Sequence, residues 1–324
     1  KDKYNNKIDY KYLPLESVCL YVPGSTASYP STVLMNAIPA ICAKVKRIVM
    51  INPGYKGNQN PAVLYAAKLC GISEIYSIGG PSAIAAVTYG TKTIKPVNKI
   101  VGPGNEFVAA AMREVFGDVG VLSMFCGPSE VTIVCDKNSK PDWLASDLVG
   151  QAEHSDLVQC ILISKNRSII EKTRMEILKQ VKEIPRSSIA KRSLMKYGIL
   201  LHVNSDKKII EIINKIGPEH LELNIKNYKS YVPKIKSSGS ICLGDFAVMS
   251  LTDMGVPGSN HVLPTNFSSK YSSGLNVSEY MKSISFITLS KRGVDKLGPS
   301  AITLAENEGL QAHAQSIIKR IRRK

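Results

Sequence analysis

The stretch RIVMINPG, residues 47–54, sets a pattern that the rest of the chain repeats, namely a short β-branched strand that ends in a turn. A helix opened by proline is predicted next, over residues 61–70, and Gly71 is its natural C-cap. Further strands, each followed by an amphipathic helix, are predicted at residues 74–78, 99–101, 131–135, 158–163 and 199–203. This alternation predicts parallel sheets with crossover helices.

The strand–helix pattern runs through the chain twice, and 324 residues are more typical of two domains than of one. The predicted fold class is therefore α/β, with two similar Rossmann-like domains and a helical C-terminal extension. Residues 1–125 are assigned to the first α/β domain and residues 126–245 to the second. Residues 246–324 form a turn-rich segment followed by a helical tail.

The net charge of +16 invites a nucleic-acid interpretation, but most of the positive charge is scattered lysine. Only residues 319–324, KRIRRK, form a dense basic run, and no RRM-like aromatic signature or zinc-finger spacing occurs. We therefore expect no dedicated role in binding nucleic acid. A general drift of the composition towards lysine accounts for the charge.

The composition also bears on the compartment. No run of eighteen apolar residues is present, and the start of the chain lacks the apolar core of a signal peptide. The seven cysteines, at positions 19, 42, 70, 126, 135, 160 and 242, contain no CxxC pair. This usage predicts a reducing cytoplasm and argues against a zinc site made of cysteines. Without an initiator methionine, the chain is expected to be a fragment or a processed form.

Gln151 and His154 stand at the end of the helix predicted over residues 141–151. Positions i and i+3 share one face of a helix, so the pair is either a solvated helix end or two ligands aimed at one point. Imidazole nitrogen and amide or carboxylate oxygen are ligands that zinc accepts without cysteine. Asp253 and His313 could complete such a set.

Two further motifs have chemical interest. Glu219 and His220 follow a Gly-Pro turn, which places them at the edge of a loop. They are either a surface polar pair or two acid–base groups side by side. Gly102-Pro103-Gly104 resembles the opening of a dinucleotide fingerprint, although Phe107 stands where a third glycine belongs. Such a turn before a helix can still receive a phosphate.

Eight motifs, taken together, carry a resemblance to the histidinol dehydrogenase family, from about Val18 to His313. In chain order they are LYVPG (20–24), PSTVLM (30–35), KIVGPGN (99–105), GPSEV (127–131), QAEH (151–154), GPEHLE (217–222), NHVLPT (260–265) and EGLQAH (308–313). Any one of them could arise by chance, whereas all of them in the order of the family are highly specific.

The resemblance implies an enzyme that oxidises L-histidinol to L-histidinal and then to L-histidine, reducing two NAD+ in one active site. It also implies one Zn²⁺ per subunit and a homodimer of intertwined subunits, in which the last zinc ligand comes from the partner chain. Zinc in this family holds the amino and imidazole nitrogens of the substrate, which is mainly a positioning role.

Carried over motif by motif, His220 resembles the general base of the alcohol step, and Glu219 the group that activates water at the aldehyde stage. Histidine suits the first role because its pKa lies near neutrality. The resemblance assigns zinc binding to Gln151, His154, Asp253 and His313. It assigns contacts with the substrate to Ser129, Gln151, His154, His220, Asp253, His261, Glu308 and His313. It assigns contacts with NAD to Tyr21, Ser82 and Asn105.

The chain also departs from the family. Ser82 replaces a glutamine of the family's NAD site, and one extra residue lies between Asp253 and Asn260. A stretch of the family before the first residue, on the order of a hundred residues, is expected to be missing. Two alternatives stay open. One is a related alcohol dehydrogenase that acts on another diol, such as a sulfonated propanediol. The other is a catalytically impaired, basic binding protein on the same scaffold.

Particular residues favour the histidinol interpretation over both alternatives. Glu308 and the segment Pro30-Ser31-Thr32 match the histidinol-oxidising family and so disfavour a different diol. Glu219, His220 and all four presumed zinc ligands are present. A decaying enzyme is expected to lose such residues first, which argues against the binding protein.

Overall fold

The computed structural model describes residues 1–24, 28–55, 58–122, 127–256 and 258–321. Cys126 and the last three residues of the basic run, 322–324, lie outside the described residues. The described cysteines are free thiols. The predicted fold class is confirmed, because the chain forms two parallel five-stranded sheets with helices.

The strands are short, as the sequence pattern predicted. In chain order they are β1 (Lys7–Pro14), β2 (Ser17–Tyr21), β3 (Arg47–Ile51), β4 (Glu74–Tyr76), β5 (Lys99–Val101), β6 (Gly120–Val121), β7 (Glu130–Cys135), β8 (Gln159–Ser164), β9 (Ile199–His202), β10 (His220–Asn224), β11 (Ser240–Leu243) and β12 (Met281–Thr288).

The helices between them begin at proline or at a capping side chain in several cases. They are α1 (Pro30–Cys42), α2 (Pro61–Leu69), α3 (Gly80–Tyr89), α4 (Glu106–Glu114), α5 (Pro141–Ala152), α6 (Arg167–Gln180), α7 (Ser187–Tyr197), α8 (Asp206–Ile216), α9 (Met249–Asp253), α10 (Lys291–Asn307) and α11 (Gln311–Ile321). Among the helices of the described ranges, none has the length and apolar character needed to cross a membrane.

The two sheets have the same strand order. The first runs β4-β3-β2-β5-β6 and the second runs β11-β10-β7-β8-β9. In each sheet the first strand of the repeat is central, the next two lie on one side and the last two on the other. This is the order of a doubly wound sheet, which reverses direction between its first and fourth strands. The reversal points are therefore β2/β5 and β7/β10.

Both faces of the second sheet are buried, because helices cover each of them. Val131 and Ile133 of β7 point to the layer of α5, α6 and α7, whereas Val134 points to the layer of α8. Successive residues of a strand face opposite sides, so a run such as VTIV reads as continuously apolar when both sides are covered.

The segment from Val248 to Tyr280, which we call the connecting segment, joins the second sheet to the first. The Tyr280 hydroxyl donates to the Asn36 carbonyl oxygen at 2.7 Å, and the Asn260 amide donates to the Met35 carbonyl oxygen at 2.8 Å. Both acceptors lie on α1. The connecting segment thus fixes α1, and with it the first sheet, against the second.

A second compact unit is formed by Lys1–Pro14 together with the chain from Met281 onward. In it β1 pairs antiparallel with β12, and α10 packs against α11. The Asn6 side chain accepts from the Ser290 backbone N–H at 3.1 Å. The sequence pattern did not predict this pairing, because the two strands come from opposite ends of the chain.

An ion pair on the first sheet provides a pH-dependent test of the fold. Arg47 of β3 donates from Nε and Nη2 to both carboxylate oxygens of Glu74 on β4, at 2.9 and 2.8 Å. This bidentate contact is the main reason why the pKa of Glu74 is lowered. A lowered pKa in the folded state stabilises the protein above the pKa of the unfolded chain, about 4.3. That contribution is lost as the pH falls through the folded pKa.

We expect Glu74→Gln to lower the free energy of unfolding by up to about 1 kcal/mol at pH 7, since both partners are partly exposed. The difference from the wild type should shrink as the pH is lowered. Urea unfolding over a series of pH values measures it, with Glu114→Gln at the exposed end of α4 as the control. A difference that is independent of pH would contradict the assignment.

Candidate active site

Glu219 and His220 lie at the amino edge of the second sheet. His220 is the first residue of β10 and pairs in register with Val131 of β7 and Ser240 of β11. Both side chains are buried, with exposed fractions of 6% and 2%. The sequence placed the pair at the edge of a loop, and the Gly-Pro turn before it is real. The strand begins directly after that turn, however, so the pair is buried and is not a surface polar pair.

Glu219 is held by the neighbouring strand. Its Oε2 accepts the backbone N–H of Glu130 at 2.8 Å. Burial raises the pKa of Glu219 well above its usual value, and the nearby charges of Asp253 and Glu130 raise it further. A carboxyl group with a raised pKa keeps its proton to a higher pH than an exposed one does, which suits a group that exchanges a proton during a reaction.

His220 contacts three polar side chains. Its Nε2 lies 3.3 Å from Asp253 Oδ1 and 4.0 Å from Glu219 Oε2, and its Nδ1 lies 3.1 Å from Ser240 Oγ. Burial lowers the pKa of His220, and the neighbouring His261 and His154 add to this shift. The ring is therefore neutral, as a proton acceptor must be.

Gln151 and His154 occupy two different local structures. Gln151 lies in the last turn of α5 and is fully buried, and neither its amide oxygen nor its amide nitrogen has a hydrogen-bond partner among the described residues. His154 follows the end of the helix, and its backbone N–H donates to the Gln151 carbonyl oxygen at 3.1 Å. A turn, and not a shared helix face, therefore keeps these two residues together.

The ring of His154 reaches solvent, yet the protein atoms around it lower its pKa, and so do the nearby charges of His261 and Arg186. Burial and both neighbouring charges act in the same sense, so the neutral form of the ring is favoured. The neutral imidazole that results is the form that binds a metal ion.

Asp253 is the last residue of α9 and is buried, with 7% of its surface exposed. Burial raises the pKa of its carboxyl group. Its Oδ1 makes no hydrogen bond of good geometry within the described chain, and its contact with His220 Nε2 is only a close approach. A buried carboxylate in this state lacks a compensating positive charge.

His261 joins Asp253 to α1. Its Nδ1 lies 2.7 Å from the backbone oxygen of Asp253, and its Nε2 lies 3.1 Å from Thr32 Oγ1. A carbonyl oxygen can only accept, so these contacts assign the proton to Nδ1, and Nε2 accepts from the Thr32 hydroxyl. His261 therefore cannot turn without breaking one of the two hydrogen bonds.

The predicted ligands Gln151, His154 and Asp253 are of the chemical types that bind a zinc ion. Leaving a buried amide and a buried carboxylate oxygen unpaired is unfavourable, and a cation between them would pair both. Oxygen and imidazole nitrogen are suitable ligands. In the ranges that the structure describes, no three His, Cys, Asp or Glu side chains form a ready metal site. Two of the four predicted ligands, His154 and Asp253, are of these residue types and lie within Leu15–Tyr280. Gln151 is an amide, and His313 belongs to the second compact unit.

The remaining predicted substrate contacts are divided between the two units. Ser129 is half-buried directly before β7, and its carbonyl oxygen accepts from the Gln159 backbone N–H at 3.1 Å. Glu308 follows α10 as its C-cap, and His313 lies in the first turn of α11. Both of these side chains are exposed in the second unit.

The predicted NAD contacts lie at the carboxyl edge of the first sheet. Tyr21 ends β2, and its hydroxyl accepts the Gly80 backbone N–H at the start of α3, at 3.1 Å. Asn105 caps α4 by accepting the Val108 backbone N–H at 3.0 Å, and Ser82 is exposed in the first turn of α3. The β2/β5 reversal point and two helix N-termini meet at this edge, which is where doubly wound sheets bind nucleotides.

Gly102 at the same edge must be glycine. Its φ is +113°, and a Cβ atom there would lie 2.2 Å from the Tyr21 carbonyl oxygen. The chain can pass this close to β2 only without a side chain. The Gly-Pro-Gly turn is therefore a real feature of this edge, although it lacks the third glycine of a fingerprint.

The sequence did not single out four polar residues around the candidate active site, which are Thr32, Glu130, Asp147 and Glu222. Two of them carried a usable signal. Glu222 stands two residues after His220 on one strand, so their side chains share a face. Asp147 stands one helical turn before Gln151 on α5.

A separate cavity of about 310 Å³ lies at the carboxyl edge of the second sheet, the edge opposite Glu219 and His220. Its acidic groups are already paired. Asp206 contacts Lys165 at 2.5 Å and the Tyr231 hydroxyl at 2.8 Å, and Asp136 accepts backbone N–H groups. Gln151, Asp253, Glu219 and His220 do not line this cavity, so it is not the candidate active site.

Comparisons with known proteins agree with the resemblance of the motifs. The family model described as histidinol dehydrogenase matches residues 1–321. The chain is 68% identical over 323 residues to the histidinol dehydrogenase of Pelagibacter ubique (strain HTCC1062), covering 100% of this chain and 75% of the relative. It is 47% identical over 324 residues to that of Brucella suis biovar 1 (strain 1330), covering 99% and 75%.

Solved structures give the same result for the fold. The crystal structure of histidinol dehydrogenase from Elizabethkingia anophelis matches with a TM-score of 0.93 at 38% identity, covering 98% of this chain and 75% of that chain. An acetylating aldehyde dehydrogenase from Geobacillus thermoglucosidasius matches with a TM-score of 0.59 at 12% identity, covering 90% and 78%. The second likeness concerns the fold alone.

The unpaired amide of Gln151 leads to a test. In the metal-free protein, Gln151→Met removes two buried groups without partners and keeps the length of the side chain. We expect the free energy of unfolding to rise by about 1–3 kcal/mol. Urea unfolding in the presence of a chelator measures this change.

The matched control is Gln59→Met. Gln59 also has an unpaired oxygen, but its Nε2 donates to the Asn52 carbonyl oxygen at 2.7 Å and to Ser77 Oγ at 3.0 Å. Losing these two hydrogen bonds should lower the stability. A Gln151→Met protein less stable than the metal-free wild type would mean that the amide has partners.

Proposed function

Since this chain belongs to the histidinol dehydrogenase family, we propose that it oxidises L-histidinol through L-histidinal to L-histidine, with NAD+ as the oxidant and one zinc ion per subunit. The observation that carries the proposal is the buried group of Glu219, His220 and Asp253, together with a fully buried Gln151 that has no hydrogen-bond partner among the described residues and lies on α5, the helix in contact with α9. This set contains an acid, a base and side-chain oxygens that are free to bind a cation. A core with only a structural role would not contain such a set.

The residues that would hold zinc are Gln151, His154 and Asp253, together with His313 of a second subunit. When bound, zinc supplies a fixed positive charge that orients the amino and imidazole nitrogens of the substrate. Asp253 is suited to this role because it is buried and its Oδ1 makes no hydrogen bond of good geometry among the described residues. His154 is suited because its lowered pKa keeps the ring neutral.

His220 would act as the base of the alcohol step. The contact of Nδ1 with Ser240 Oγ fixes the ring and leaves Nε2 as the proton acceptor. Nε2 points towards Asp253, and so towards the proposed position of the substrate. Removal of the hydroxyl proton by Nε2 accompanies departure of the hydride from carbon, for which NAD+ supplies the acceptor when bound.

Glu219 would act at the aldehyde stage. The Glu130 backbone N–H holds Oε2, which leaves Oε1 to take a proton from the water that adds to the aldehyde. The raised pKa of Glu219 suits a group that must hold and then release this proton. Because Glu219 and His220 are adjacent, both oxidations can take place without moving the substrate.

The cofactor would bind at the carboxyl edge of the first sheet, near Tyr21, Ser82 and Asn105. The N-termini of α3 and α4 offer backbone N–H groups to its phosphates there. Ser82 is shorter than the glutamine expected at its position, so its contact with the cofactor is reduced. The approach of Gly102 to β2 keeps this edge open to a dinucleotide.

The second compact unit supports the proposal of a homodimer. Several large apolar side chains of its β1–β12 sheet are exposed, namely Ile8, Tyr10, Tyr12, Ile284, Phe286 and Ile287. Ile8, Tyr10, Tyr12 and Ile287 share one face of this sheet, and Ile284 and Phe286 share the other. Apolar side chains exposed on one face mark a surface that another chain covers. A second copy of this chain is the proposed occupant, and it would bring His313 to the zinc site of its partner.

Substrate-dependent NADH formation tests the reaction. We expect about two NADH for each histidinol, as two successive hydride transfers require. His220→Asn should lower kcat for histidinol by about 10²–10⁴, the usual contribution of a general base. Glu219→Gln should impair the oxidation of histidinal more than that of histidinol, which absorbance measurements with each substrate distinguish.

His202→Asn is the control for these variants, because His202 is an exposed histidine on β9 that contacts only the Lys165 carbonyl oxygen among the interactions described. It should behave as the wild type. NADH formation with a sulfonated propanediol but not with histidinol would refute the proposed substrate. Salt-sensitive nucleic-acid binding without any NADH formation would favour the binding-protein alternative.

Hybrid dimers test the contribution of His313. His154→Asn and His313→Asn subunits should each be inactive alone. In a hybrid of the two, one site carries both substitutions and the other carries neither. Random assembly should therefore restore about one quarter of the sites in a twofold-symmetric dimer. Activity of the mixture that stays at the level of the single variants would show that both histidines act within one subunit.

A further inference from the structure

Three elements carry the residues of the candidate active site, and they meet at one point. Gln151 is near the end of α5, Asp253 is the end of α9, and His220 is the start of β10. The helix α9 has only five residues, and it begins after Val248, whose side chain cannot cap it. The position of Asp253 must therefore be fixed from outside α9.

Glu222 supplies the missing cap from β10. Its Oε1 accepts the backbone N–H of Met249, the first residue of α9, at 2.7 Å, and both residues are buried. Asp253 stands four residues further on, which is about 6 Å along the helix axis. Over so short a distance, fixing the first turn of α9 also fixes the carboxylate of Asp253.

The same side chain reaches α5. Glu222 and Asp147 are joined by a side-chain hydrogen bond. Asp147 lies one helical turn before Gln151, so the two share a face of α5. Glu222 thus connects the strand of His220 to the helix of Gln151 on one side and to the helix of Asp253 on the other.

The two carboxyl groups of this pair both have raised pKa values. Burial and the charge of Asp147 raise the pKa of Glu222 to about 8, whereas burial raises that of Asp147 only to about 6. Two carboxyl groups in contact inside a protein cannot both be ionised. The pair therefore holds one proton between its two carboxyl groups, while Glu222 Oε1 accepts from the Met249 backbone N–H.

We propose that Asp147 and Glu222 are a positioning pair, which holds Gln151 and Asp253 in the arrangement that binds the zinc ion. The proposal rests on the proposed function, because it concerns the metal of that function. A merely structural link would not need a buried acid paired with a half-buried one, since apolar side chains of similar volume are often as stabilising. Replacing a residue that positions a metal ligand typically changes the metal affinity by about 10–100-fold.

The test uses the full chain and zinc alone, with affinity measured by competition with a chelator. Glu222→Met keeps the length of the side chain but loses both hydrogen bonds, and we expect it to weaken zinc binding by about 10–100-fold. Glu222→Gln keeps an acceptor for Met249 and a donor for Asp147, and we expect it to retain the wild-type affinity. The visible spectrum of the cobalt-loaded protein should change in Glu222→Met and not in Glu222→Gln.

The unfolding midpoint of the metal-free protein distinguishes a positioning role of Glu222 from a general effect on stability. A positioning role predicts a loss of zinc affinity without an equal loss of stability. Unchanged zinc affinity in Glu222→Met would overturn the proposal, and so would a loss of affinity in both variants that follows the unfolding midpoint.

If Glu222→Met does not fold, the double variant Asp147→Asn/Glu222→Gln decides. It keeps the hydrogen-bonded pair, and weakened zinc binding in its folded form would overturn the proposal. A wild type that binds no zinc would instead refute the metal of the proposed function.

Discussion

The structure depends on one unfavourable arrangement, the burial of Glu219, His220, Asp253 and Gln151 in a small volume with few partners. Burial alone moves the pKa of both carboxyl groups upward and that of the imidazole downward. The chain keeps these groups where apolar side chains would be more stable, which is typical of a site selected for activity at the expense of stability. The surrounding strands and helices hold the four residues in place, and few of their polar atoms are satisfied in return.

The two sheets have the same strand order, but the proposed function uses opposite edges of them. The first sheet offers its carboxyl edge, with Tyr21 and the Gly102 turn, in the usual manner of doubly wound folds. The second offers its amino edge, where β7 and β10 begin. Its own carboxyl edge is occupied by an internal network of Asp206, Lys165 and Tyr231. In the proposed function, the same strand order thus serves cofactor binding in the first sheet and catalysis in the second. The fold alone does not indicate which edge carries the chemistry.

Local signals in the sequence predicted most of the fold, and longer-range contacts account for the rest. Proline before α2 and the β-branched run of β3 act within a few residues, so both elements were predicted close to their observed bounds. The pairing of β1 with β12 joins the two ends of the chain, and no local pattern indicates it. The motifs identified the family, and the site residues they suggest stay predictions, but they gave no information on the surroundings of those residues. The spacing of Gln151 and His154 predicted a shared helix face, whereas α5 ends between them. Glu222 and Asp147 escaped notice because their contact joins a strand to a helix, which neither periodicity describes.

His261 has a consequence for motion. Its two ring nitrogens connect Thr32, on the helix that covers the first sheet, to the backbone of Asp253 beside the second sheet. The two sheets cannot swing apart without detaching the imidazole from one of these anchors. Movement of α1 away from the second sheet is therefore coupled to movement of the Asp253 backbone. A ligand that moves α1 relative to the second sheet would therefore also move Asp253, because the His261 side chain links the two.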